Sequence, residues 1–391
     1  MLDTPFPPWP SFSEEEIETV ARVLRSGRVN AWTGGEVKAF EQEFAAWAGA
    51  KHAVALANGT VALDVAWRVL GIGAGDEVIT TPRSFQASAS SIAMAGARPV
   101  FADVDLQSQN ITPETVAPLI TPRTRAILCV HVAGWPCDMA GFRALAREHD
   151  LKLVEDCAQA HGARIGGQAV GTFGDIAAWS FCQDKIVTTG GEGGMVTTND
   201  EKLWKAAWSF KDHGKGWAAV HEREHPPGFR WLHETWGTNG RMMEIQAAIG
   251  RIQLARMPAW HAARKRNAEE LVRSFRECAA LRVPSPPADV EHAWYKFYAF
   301  VRRERLKPDW NRDRIMNAIV EAGVPCYTGA CPEMYREKAF RDAGFGPVER
   351  LAGAVELGET SLMFLVHPTL GPEHISQTCA VVADVLRQAK S

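Results

Sequence analysis

The sequence predicts an α/β protein with a large, mostly parallel sheet covered by helices, followed by a smaller α+β C-terminal domain. Short apolar runs of strand length alternate with stretches of helical periodicity, and no fixed-period repeat interrupts them. The chain has 391 residues, 46% of them hydrophobic, enough for a large core and more than one domain.

Ser13-Glu14-Glu15-Glu16 has capping-box spacing and precedes Ile17, Val20, Ala21 and Leu24 at helical intervals, and Ser26-Gly27 ends that helix. A loop over Arg28–Gly35 leads to a helix over Val37–Trp47. His52–Leu56 reads as a buried strand running into Ala57-Asn58-Gly59-Thr60, where a helix begins and continues through Val61, Leu63, Trp67 and Leu70. Glu77–Thr81, Arg98–Phe101, Ala126–Val132, Leu151–Glu155 and Ile176–Phe181 are further strands, interleaved with helical stretches such as Ser88–Ala95 and Met139–His149. Six or seven such units make a doubly wound domain. From Lys211 to Gly237 the pattern dissolves into Gly, His, Pro and Trp, which predicts a long functional loop. Helical periodicity returns over Met242–Arg256 and Ala262–Cys278. After Pro284-Ser285-Pro286-Pro287 come an alternating strand, Trp294–Arg302, and helices over Arg312–Ala322 and Glu373–Gln388. The expected boundary near residue 260 divides the chain into 1–260 and 261–391.

Net charge is −3 with acids and bases interspersed, and no run of five Lys/Arg occurs, so neither nucleic acid nor an anionic membrane is an expected partner. A small molecule is. The opening MLDTPFPPWPSFSEEEIETV has prolines and acids where a signal peptide or membrane anchor has a basic segment and a long apolar stretch, so a cytoplasmic location is expected. The eight cysteines, Cys129, Cys137, Cys157, Cys182, Cys278, Cys326, Cys331 and Cys379, lack paired C-x-x-C spacings and read as reduced thiols in or near the core, with no metal expected.

The most informative stretch is Val154-Glu155-Asp156-Cys157-Ala158-Gln159-Ala160-His161-Gly162-Ala163. It is followed by Ser180-Phe181-Cys182-Gln183-Asp184-Lys185 and the glycine-rich Gly190-Gly191-Glu192-Gly193-Gly194. In this order the motifs resemble the DegT/DnrJ/EryC1/StrS family of sugar aminotransferases. The resemblance runs from Leu24-Arg25-Ser26-Gly27 through Thr33-Gly34-Gly35-Glu36 and Phe40-Glu41 to His367-Pro368. It implies the aspartate-aminotransferase fold (fold type I) and pyridoxal 5'-phosphate (PLP) as cofactor.

The resemblance places the Schiff-base lysine at Lys185, and a lysine shielded from water is readily made nucleophilic. Asp156, at the end of an apolar strand, matches the carboxylate that keeps the cofactor's ring nitrogen protonated; an Asp there is also a common helix cap. Gln159 matches the residue beside the ring's phenolic oxygen, and Phe85 the aromatic that stacks on the ring. Gly59 and Thr60 lie where a helix start can cradle a phosphate, and Ser180 matches the family serine that adds a hydroxyl. His161 is at most a supporting residue. Asn239, in Gly237-Thr238-Asn239-Gly240-Arg241, resembles the asparagine that reaches the neighbouring subunit's phosphate, which implies a homodimer with shared sites.

One departure concerns the loop after Gly323-Val324-Pro325, where many relatives carry a His-Tyr pair and this chain has Cys326-Tyr327. The leading expectation is amino transfer from glutamate or glutamine to a nucleotide-linked keto-deoxysugar, for surface polysaccharide or glycosylated metabolites. Amination of a free cyclic ketone such as an inosose, and a catalytically inactive regulatory protein of the same fold, are the alternatives. Related sugar dehydratases have histidine in place of the lysine, and Lys185 argues against that chemistry.

Overall fold

The computed structural model describes residues 6–225, 228 and 231–391; positions 226, 227, 229 and 230 of the expected loop and the first five residues lie outside it. Seven strands build the main sheet: β1 (His52–Leu56), β2 (Glu77–Thr80), β3 (Arg98–Phe101), β4 (Thr124–Val130), β5 (Lys152–Asp156), β6 (Ile176–Ser180) and β7 (Gly194–Thr198). Their order is β1-β7-β6-β5-β4-β2-β3, and β7 alone runs against the rest, pairing antiparallel with β1 and β6.

Alternating side chains feed two cores. Val54, Leu56, Ile176 and Ala178 face one cluster with Trp67 and Phe142; Ala53, Ala55, Ala177 and Trp179 face another with Phe40 and Phe44. Helices therefore cover both faces, and for that reason the strands read as apolar runs. Phe40 and Phe44 are fully buried, and truncating either to alanine costs ~3–5 kcal/mol by loss of transfer energy and the cavity left behind.

Caps set the helix starts. Ser13 and Glu16 form the expected capping box, and Asn58 Oδ1 accepts the Val61 N–H at 2.9 Å, which starts the helix Gly59–Leu70 directly after β1. The C-terminal ends of β1, β5 and β6 thus deliver Asn58–Thr60, Asp156 and Ser180 to one edge of the sheet, where ligands bind in open α/β folds.

The two helices expected over Met242–Arg256 and Ala262–Cys278 are one helix, Glu244–Arg276, 33 residues long with Pro258 inside it. The expected boundary near residue 260 falls within this helix. The chain then builds a four-stranded antiparallel sheet in the order Leu281–Arg282, Phe297–Val301, Ser361–Phe364, Cys326–Tyr327. Among its described residues the expected loop over 211–237 contains one short helix, Trp217–His221. The N-terminal segment reaches across the chain: Phe6 packs in the core of the second sheet, and Thr369 Oγ1 donates to the Pro8 carbonyl at 3.1 Å.

Candidate active site

A cavity of about 1230 Å³ opens at that sheet edge. Gly59, Thr60, Phe85, Asp156, Gln159, Ser180 and Lys185 all line it, so seven of the eight sequence-predicted residues come together. Asn239 does not: it is exposed, outside the cavity, on a bridge with Asp212. His161 is buried behind the wall against Trp179 and Phe181, and burial first, then the nearby Lys185 and Arg264 charges, lowers its pKa to about 3. It is a neutral packing residue.

Asp156 ends β5 on the floor. Ser88 Oγ donates to its Oδ2 at 2.8 Å and the Ala158 N–H to its Oδ1 at 3.1 Å. Burial still outweighs those bonds and raises its pKa. A cation placed against it supplies the opposite push. The neighbouring Glu155 anchors the strand end: its Oε1 accepts the N–H groups of Phe173 and Gly174, and its Oε2 that of Gly171 and faces His131 Nε2 at 3.1 Å. Gln159 is oriented just as firmly. Its Oε1 accepts the Ala133 N–H at 2.8 Å, which leaves the amide nitrogen for the cavity.

Gly59 and Thr60 open a twelve-residue helix whose first turn lines the cavity. A Cβ added at Gly59 would lie 2.6 Å from Ser180 Cβ, so only glycine permits this approach of helix to strand. Phe85 is 71% exposed, its ring open on the cavity side.

Lys185 has a 14% exposed side chain and a set of partners the sequence did not reveal. Its Nζ donates to the Tyr295 hydroxyl at 3.4 Å and lies 3.7 Å from Asp184 Oδ1; Tyr295 in turn donates to Asp184 Oδ2. Burial opposes the Asp184 carboxylate, but Lys185, the Tyr295 hydroxyl and Lys296 outweigh it and hold its pKa below the usual range. Trp9 donates its indole N–H to the Lys185 carbonyl at 2.8 Å and stacks on His367.

These residues fit a flat phosphorylated pyridine. A helix start beside a glycine with no room for a side chain suits the phosphate, the buried Asp156 suits a protonated ring nitrogen, and a shielded primary amine lines the same cavity. The sequence profile described as the DegT/DnrJ/EryC1/StrS aminotransferase family matches residues 10–383. The chain belongs to this family. It is a PLP-dependent transaminase with the α/β fold of these enzymes. The structure of an aminotransferase from Psychrobacter cryohalolentis is 55% identical, with a TM-score of 0.97 over 98% of this chain and 99% of that one. The UDP-N-acetyl-3-dehydro-alpha-D-glucosamine 3-aminotransferase of Acidithiobacillus ferrooxidans is 36% identical over 358 residues, 90% of this chain and 89% of its own. The dTDP-3-amino-3,4,6-trideoxy-alpha-D-glucose transaminase of Streptomyces venezuelae is 35% identical over 382 residues, 97% and 93% of the two chains. Among the described residues no helix is long and apolar enough to cross a membrane.

Proposed function

We propose that this family member transfers an amino group from glutamate or glutamine to the ketone of a nucleotide-linked keto-deoxysugar, serving surface polysaccharide or glycosylated metabolites. The observation that carries this reading is the cavity: at about 1230 Å³ it exceeds the ~300–1,000 Å³ of ordinary small-molecule sites and has room for the cofactor and a nucleotide sugar together. Relatives named for UDP- and dTDP-sugar amination support the substrate class.

When bound, PLP supplies the electron sink that makes the substrate's carbon–hydrogen bond acidic. In this reading Lys185 Nζ would hold the cofactor covalently and, once the substrate amine displaces it, would be free to take and return a proton at the substrate carbon. Asp156 keeps the ring nitrogen protonated, the Gln159 amide donates to the phenolic oxygen, and Phe85 covers the ring. Gly59, Thr60 and Ser180 bind the phosphate. Asn239 completes the phosphate site of a second copy in a homodimer. Its exposure supports this, as does that of Trp231 and Trp236 on the same stretch, 85% and 88% exposed. The test is a panel of nucleotide keto-sugars and a free inosose with glutamate as donor, read by product mass. Amination of a nucleotide keto-sugar is expected; turnover of the inosose alone would replace this reading.

A further inference from the structure

Lys296 immediately precedes the strand Phe297–Val301 and lines the same cavity as Lys185. Nothing in the family motifs above points to it, and the proposed roles leave it unused. The two ammonium groups flank one ring: Lys185 Nζ lies 5.1 Å and Lys296 Nζ 4.8 Å from the centroid of Tyr295. Behind them Arg264 is buried over the Trp9 ring; one of its nitrogens donates to the carbonyls of Trp294 and Tyr295, while Nε and Nη2 have no hydrogen-bond partner among the described residues. Among the described residues, the charged and titratable groups around Lys296 are Asp184, Arg264, Lys185, His367 and Tyr295. Asp184 is the one carboxylate among them and is already engaged with Lys185 and Tyr295. This wall therefore buries more positive than negative charge, an imbalance that a bound anion relieves.

We propose that Lys296 anchors the carboxylate of the amino-acid donor. This rests on the donor proposed above. The position of the subsite selects the anion. A carboxylate held here lies beside Lys185, and in an α-amino acid the carboxylate is carried by the same carbon as the amino group. In a nucleotide sugar the diphosphate is on the anomeric carbon, with the sugar ring between it and a ketone further along. A wall this close to Lys185 suits the amino acid.

Burial lowers the Lys296 pKa to about 8, so its charge is largely present at neutral pH and lost above it. The donor KM accordingly rises as pH passes through about 8, and Lys296→Met abolishes that rise.

The experiment compares holoenzyme of the wild type, Lys296→Met and Lys296→Arg. One readout is the KM for L-glutamate in the donor half-reaction, followed by cofactor absorbance. The other is the dissociation constant of 2-oxoglutarate from the amino form, by calorimetry. Lys296→Met is expected to raise both constants about 10- to 100-fold, the range of a lost hydrogen bond to a charged group, with the keto-sugar KM unchanged and Lys296→Arg restoring most of the loss. Unchanged glutamate and 2-oxoglutarate constants would overturn the proposal. A rise in the keto-sugar KM alone would assign the subsite to the diphosphate, and an equal loss for both substrates would make Lys296 structural; either result overturns it too. If neither glutamate nor glutamine converts the wild type, the donor reading fails separately, and the 2-oxoglutarate constants still decide the subsite.

Discussion

Gly59→Ala isolates the phosphate cradle in a single methyl group. The new Cβ would meet Ser180 Cβ at 2.6 Å, Ser180 Oγ at 3.0 Å and Ser180 Cα at 3.2 Å. Backbone strain plays no part, because Gly59 is not among the residues with positive φ. The contact reaches main chain on a central strand, so the helix Gly59–Leu70 must yield, carrying its first N–H groups away from the phosphate position. Overpacking of this kind costs ~1–3 kcal/mol, which as lost cofactor affinity is about 5- to 150-fold. Titration of cofactor-free protein, followed by absorbance, gives the dissociation constant. Ser180→Gly removes the Cβ and Oγ contacts and leaves the one to Cα, so in that background Gly59→Ala should cost less, with a coupling energy of ~1–2 kcal/mol in the double-mutant cycle. Unchanged affinity for Gly59→Ala, or additive effects in the cycle, would refute the close-approach argument.

Asp156→Asn should keep the fold, because the Ala158 N–H keeps the amide oxygen and the Ser88 hydroxyl can accept from the amide nitrogen, yet lose about a hundredfold in turnover, the effect of removing a preorganised charge; near wild-type turnover would refute its role. Glu333 is bound by Arg350, which leads the causes that lower its pKa to about 2. Its folded value lies below the unfolded ~4.3, so its contribution to stability is complete above about pH 4.3 and disappears as pH falls towards about 2. Denaturation midpoints across that window should fall less steeply in Glu333→Gln than in the wild type; parallel curves would contradict this. Mixing inactive Lys185→Ala with an inactivating Asn239 variant should regenerate activity, since one site of a mixed dimer has neither lesion; hybrids that form yet stay dead would rule out shared sites.

The site was legible where chemistry is local in sequence. Asn58-Gly59-Thr60, the Asp156–Gln159 pair and Ser180–Lys185 each lie at or just after the end of a strand, which delivers them to one edge, and the family resemblance gave them their roles. Residues brought in by tertiary contact left no such trace. Tyr295 meets Lys185 from 110 positions away and Trp9 from 176, and neither has a spacing signal. The long helix was misread for a related reason. Pro258 resembles a break, yet it removes one backbone donor from a helix of 33 residues packed on both sides, and tertiary packing outweighs that loss. β7 was hidden by the glycine-rich turn that precedes it, and its antiparallel place between β1 and β6 is set by pairing that no periodicity encodes.

The central claim is that this cavity holds PLP on Lys185. Borohydride reduction of the holoenzyme followed by peptide mapping tests it most directly. One modified lysine, Lys185, is expected, with loss of both the label and transamination in Lys185→Ala. A label on Lys296, or on any lysine other than Lys185, would contradict it.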